Sequence, residues 1–277
     1  MMRKNPFFGK SFLWTVLALA GTLLPGGVLA QELLRVATVS EVSEKGAVKV
    51  TLSLKNLWDR PLYHIHPMFH FHHSMVMGPM IHSLAPGESA TLVNTGHPPV
   101  VQVGRYPLTV ITSYKKSSVG PHSATQIHTD SFYYKEPVVS DVEGRMVASV
   151  SEGASAMRVS IKNNSSSFKN VQLALLMPPG LISETFKGMM GFTIRSGEEK
   201  HFEIPVSKLT GVPDGEYPVR LTIEYGELMK HYAGEIRGQI HFGAGEIDLW
   251  PHLIAIALLS SALAVFSYRL KSQTLAA

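Results

Sequence analysis

The chain of 277 residues contains no cysteine. That one absence excludes disulfide staples, thiolate metal ligands and a thiol nucleophile together. Whatever fold forms must then be held by buried apolar cores. Nor is there a glycine-rich phosphate loop or a nucleophile-elbow pattern around any serine, so the chain is read as non-enzymatic. An excess of positive charge is missing too, although the formal net charge is +4. Arg3, Lys4, Lys10, Arg269 and Lys271 lie near the ends, whereas all 21 acidic residues fall between Glu32 and Asp248. The portion between the ends carries 20 basic and 21 acidic residues, a net charge of −1, which excludes nucleic acid as a partner.

Both ends look like targeting segments. Residues 1–30 have a basic start, a short apolar run (11–24), a Pro-Gly-Gly break and Val28-Leu29-Ala30, the small-residue spacing of a signal peptide cleaved after Ala30. Residues 249–268 hold no charge and are long enough to span a bilayer. Trp250 and Tyr268 sit at the edges of this stretch, and His252 falls near its outer edge as an interfacial residue. Arg269 and Lys271 follow, which predicts a cytoplasmic tail at 269–277. The expected molecule is a single-pass membrane protein with its bulk in the periplasm or extracellular space.

The segment between repeats itself. GRYPLTVITSY (104–114) matches GEYPVRLTIEY (215–225), LAPGESATL (84–92) matches IRSGEEKHFEI (194–204), and VTLSLKN (50–56) matches MRVSIKN (157–163). Three blocks in one order predict two copies of one fold, at 31–136 and 137–246, joined near Lys135-Glu136-Pro137. Val48, Val50, Leu52 and Leu54 alternate with polar residues, as do Val159 and Ile161, the period of half-buried strands. With Pro-Gly, Ser-Gly and Pro-Asp-Gly turns, each copy reads as an all-β antiparallel sandwich, the two set in tandem end to end.

Particular motifs carry a resemblance. Asn56, the turn Leu84-Ala85-Pro86-Gly87-Glu88 and Gly104-Arg105-Tyr106 recur as Asn163, Ser196-Gly197-Glu198 and Gly215-Glu216-Tyr217. This pattern resembles the immunoglobulin-like repeats of the bacterial cell-adhesion-related (CARDB) type. The resemblance implies an extracytoplasmic interaction or spacer module and brings no catalytic residues. Copy two lacks the turn proline.

The unusual stretch is YHIHPMFHFHHSMVMGPMIH (63–82), in which six of twenty residues are histidine and four are methionine. It is assigned to the third strand and the loop after it. Copy two has NVQLALLMPPGLISETFKGMMG (170–191) there, so His64 and His66 are expected on the face that copy two fills with apolar groups. His64/His66 and His70/His72 are spaced i, i+2, which projects each pair from one face of a strand. Imidazole suits Cu(II), Zn(II) and Ni(II), and thioethers favour Cu(I). The expected metal set is His64, His66, His70, His72, His73, Met75, Met77, Met80 and His82, with copper as the cofactor. His97, His122 and His128 lie in the same copy. The stretch also resembles, more loosely, periplasmic copper-carrying β-sandwich proteins, which pair a Met-rich loop with histidines. The alternatives are packing, a partner surface or pH sensing. The expected function is an accessory or adaptor protein in a membrane or envelope complex, the rival being a protein- or glycan-binding spacer without metal.

Overall fold

The computed structural model describes residues 32–120, 123–151, 154–243 and 253–263. The predicted signal peptide (1–30), His122 and the tail 269–277 lie outside the described residues.

The first half comprises β1 (Leu34–Val42), β2 (Val48–Asn56), β3 (Leu62–Phe71), β4 (Ser74–Met77), β5 (Ile81–Leu84), β6 (Ser89–Asn94), β7 (Val103–Lys115) and β8 (Ser123–Tyr134). β1, β2 and β6 make one antiparallel layer. β8, β7 and β3 make the other, with β4 and β5 both folded back on β3. The second half comprises β9 (Val142–Ser151), β10 (Ala154–Asn163), β11 (Lys169–Leu176), β12 (Leu181–Ile182), β13 (Met189–Ile194), β14 (Glu199–Lys208), β15 (Gly215–Glu227) and β16 (Lys230–Phe242). It repeats the plan, with β9, β10, β14 and β12 against β16, β15, β11 and β13. Two antiparallel layers in this order are those of an immunoglobulin-like sandwich.

The alternation in the sequence accounts for the layers. Val48, Val50, Leu52 and Leu54 of β2 turn inward onto Phe69, Phe71, Leu108 and Val110 across the sandwich. Met157, Val159 and Ile161 of β10 do the same against Leu173, Leu221 and Ile223. Each such buried side chain contributes about 1.5–3 kcal/mol, and with no disulfide these two cores carry the stability.

The repeated motifs perform the same tasks twice. The Asn56 side chain donates to the carbonyls of Arg60, Leu84 and Ala85. Asn163 donates to those of Ser167, Ile194 and Arg195. Glu88 and Glu198 each accept the backbone N–H three residues earlier, closing the turn. Tyr106 donates to the Gln102 carbonyl and Tyr217 to that of Pro213, four residues back in each case. That hydrogen bond is the tyrosine corner of immunoglobulin-like folds.

The two halves do more than follow one another end to end. Lys230 and His231 of β16 pair in parallel with Val103 and Gly104 of β7, so the facing layers merge into one nine-stranded sheet. Gly104 makes this approach possible. It sits at φ +144, and a Cβ there would stand 2.0 Å from the His231 carbonyl oxygen. Its counterpart Gly215, at φ +149, has open space around it. The seam is reinforced by Thr129 donating to Glu235, by Lys230 with Glu136, and by Leu176 packing on Ile111 and Ile127.

At the C-terminal end, residues 253–263 form an exposed apolar helix. The rest of the expected span, 249–252 and 264–268, lies outside the described residues. No helix among the described residues is long and apolar enough to cross a membrane.

Candidate metal centre

β3 departs from the expected facing. Its register against β7 shifts between Tyr63 and His66, and His64 takes φ +48. This bulge consumes one residue and inverts the alternation. Leu62, Ile65, Pro67, Phe69 and Phe71 are therefore buried, whereas His64 is exposed and His66 and His70 are half-buried on the opposite face. The expectation that His64 and His66 take the apolar face is thus corrected. The repeats agree: Phe69 lies opposite Val110, and Leu175 lies opposite Leu221, the residue that matches Val110 at an offset of 111. Stepping back along each strand, His66 corresponds to Gln172, an exposed position, and not to a core leucine.

The segment after β3 is not a loop, as expected, but a tight turn at His72-His73 followed by β4. His72 adopts φ +50, a left-handed conformation that histidine enters more readily than most residues. On the hairpin, Met77 lies opposite Met68 and Met75 opposite His70. Directly opposed residues on antiparallel strands share a face, so three thioethers and one imidazole form a square. Met68 is partly buried beneath it against Ile111, Ile127 and Leu176. Met75, Met77 and Met80 are exposed, as are His73 and His82.

Where the turn meets the second half, a different group converges. His72 Nδ1 lies 2.6 Å and His231 Nε2 3.2 Å from the same oxygen, Oε2 of Glu224. These three donor atoms all lie within 4.8 Å of one another, and no other such group of His, Asp or Glu occurs among the described residues. Of the nine expected ligands only His72 belongs to it. His231 and Glu224 come from β16 and β15, and both are 5% exposed. In the β15–β16 hairpin Glu224 faces Ala233 and Gly226 faces His231, which sets Glu224 and His231 diagonally on one face.

His231 is held in one orientation. Its Nδ1 donates to the Arg105 carbonyl at 2.6 Å, and its ring stacks on Tyr106 at 4.2 Å with 2° between planes. A carbonyl accepts only, so Nδ1 carries a proton, and Nε2 is directed at the Glu224 carboxylate. Fixing one ring nitrogen by a backbone carbonyl is how proteins orient a metal-binding histidine. Burial works to raise the Glu224 carboxyl, but hydrogen bonds from His231 and His72 outweigh it and lower the group to about 2. The carboxylate is therefore ionised at every physiological pH. Metal bonds of about 2.0–2.2 Å set neighbouring ligand atoms roughly 3.0–3.4 Å apart. The observed separations are 2.6 and 3.2 Å, with the two imidazole nitrogens within 4.8 Å of each other, so the three side chains need small shifts to surround one ion.

Two further histidines of the first half are engaged elsewhere. His97 is buried, hydrogen-bonded to Ser74 and Asn94, and packed edge-on against Phe71. His128 hydrogen-bonds Thr38. Burial pushes His70, His97 and His128 below the ordinary imidazole range. The unfolded chain then takes up protons first, so stability rises with pH wherever these groups titrate. Their contribution is complete above about pH 6.5, the unfolded value, and is lost as pH falls towards the folded values. The Glu224 contribution persists down to about 4.5 and is lost only as pH approaches 2. The urea midpoint is accordingly expected to drop between pH 7.5 and 5.5, and a flat profile there would refute this reading.

No family model matches the chain, and no curated protein does. Among solved structures it is similar to trypsin-activated alpha-2-macroglobulin from Escherichia coli, at 12% identity and TM-score 0.28, over 76% of this chain and 18% of that one. It is also similar to red sea bream transglutaminase, at 10% identity and TM-score 0.26, over 84% of this chain and 34% of that one. A third is the CsuC–CsuE chaperone–tip adhesion subunit complex of Acinetobacter baumannii, at 12% identity and TM-score 0.25, over 72% and 98%. The chain spans less than a fifth of the macroglobulin. Likeness at these values carries nothing about binding or activity, and the immunoglobulin-like assignment rests on strand order and the tyrosine corners.

Proposed function

We propose that the protein is a membrane-tethered, extracytoplasmic accessory protein that binds copper where its two halves meet. The observation that carries this reading is the convergence of His72, Glu224 and His231 on one point, with His231 held by the Arg105 carbonyl. Two imidazoles and a carboxylate suit Cu(II), Zn(II) or Ni(II). The adjoining square of Met68, Met75, Met77 and His70 favours copper among these, because thioethers prefer Cu(I). Copper is the metal that would use both donor sets. The apolar stretch 249–268 and the leader-like residues 1–30 support the tether and the compartment.

The test is calorimetric titration of the untagged full-length chain with Cu(II), and with Cu(I) under reducing conditions. One Cu(II) equivalent is expected to bind and to be lost in His72→Asn, a change that keeps a residue tolerant of the left-handed turn. Met75→Leu with Met77→Leu is expected to weaken Cu(I) and leave Cu(II) unchanged. Cu(II) uptake that is the same in His72→Asn and the parent chain would overturn the assignment.

A further inference from the structure

The three donor residues stand at the wall of a cleft of about 820 Å³ between the halves. One side is the outer surface of β11 and β13, presenting Asn170, Gln172 and Thr193. The other is the segment Pro98–Gln102 that precedes β7. The volume falls in the range of sites that bury a small ligand. Three protein ligands leave at least one coordination position of a transition metal for something else. His72, Glu224 and His231 all line the cleft, so a ligand in it can reach a metal that they would hold.

The lining restricts what can enter. Among its described residues Glu224 is the sole carboxylate, and there is no lysine or arginine. A divalent ion with one carboxylate and two neutral imidazoles has a net charge of about +1. The occupant must therefore bring a neutral or singly charged donor to the metal, with no second anionic group to be met elsewhere. Along its body it meets the side-chain amides of Gln102, Asn170 and Gln172, each offering both donors and an acceptor. It also meets the flat apolar surfaces of Pro98 and Pro99. Alternating amide donors and acceptors beside apolar surface are what an extended peptide backbone satisfies. Imidazole is the neutral donor that a peptide most often supplies to such a metal.

We infer that this cleft binds a short histidine-bearing peptide segment, whose imidazole completes the coordination of the metal held by His72, Glu224 and His231. The inference rests on the copper reading above, and its test separates the two. The full-length chain is loaded with one equivalent of Cu(II) and titrated with the blocked tripeptide acetyl-Gly-His-Gly-amide or with imidazole. Binding is followed by the ligand-field absorption and electron paramagnetic resonance of the metal. The peptide is expected to shift both spectra and to bind at least tenfold more tightly than imidazole. Gln172→Ala combined with Asn170→Ala is expected to remove that tenfold advantage while leaving Cu(II) uptake and imidazole affinity unchanged. Equal affinities for peptide and imidazole, or spectra that neither ligand alters, would overturn the peptide site and leave the copper centre standing. A chain that takes up no Cu(II) would overturn both.

Discussion

Gly104→Ala is expected to pull the two halves apart, with a loss of about 3–5 kcal/mol in unfolding free energy and of Cu(II) binding with it. The added Cβ would stand 2.0 Å from the His231 carbonyl oxygen, and at φ +144 the backbone is already one that an L-residue avoids. A backbone atom cannot swing aside as a side chain does, so β16 must retreat from β7. His231 sits opposite Gly104 in that parallel pairing, so its ring leaves Glu224 as the strand moves. The repeat supplies a control. Gly215→Ala has nearly the same φ and nothing within 4 Å, so only the conformational cost of about 1–3 kcal/mol applies. Urea unfolding and copper titration of the two variants side by side test this. Identical midpoints with metal binding intact in both would show that the seam does not depend on Gly104.

Glu224→Ala is the second large effect. The carboxylate is 5% exposed and accepts from two imidazoles, one from each half. Taking away one partner of a buried charged cluster leaves the others unsatisfied, at a cost of about 3–5 kcal/mol. As the only oxygen ligand it should also cost Cu(II) affinity at least ~100-fold, more than the loss of a supporting hydrogen bond to a ligand. Hydrogen exchange is expected to rise at the seam, in β7, β15 and β16, while β2 and β10, deep in the separate cores, keep their protection. A variant with parental copper affinity, or exchange raised equally in both cores, would contradict this.

The strands and turns were legible because they depend on near neighbours. Val48, Val50, Leu52 and Leu54 announce β2 by their period alone, and Asn56 with Leu84 to Glu88 announces a turn that recurs at Asn163. The bulge at His64 was not legible. Nothing in Tyr63-His64-Ile65-His66 marks a break in alternation, and one unpaired residue was enough to move His64 and His66 off the expected face. The hairpin that presents Glu224 and His231 was hidden for a related reason. Its tip, Leu228-Met229, takes positive φ at both residues without the glycine or asparagine that signals such a turn. The register that sets Glu224 beside His231 therefore had no marker in the sequence.

By itself the sequence determined the all-β character, the duplicated Asn, turn and Tyr devices, and the wealth of imidazole and thioether in one copy. Each of these follows from residues a few positions apart, where side-chain period and turn chemistry decide the outcome. Which histidine meets a carboxylate was decided only by the tertiary structure. His72 and Glu224 are 152 positions apart, and they meet because Gly104 lets two strands from separate sandwiches pair edge to edge.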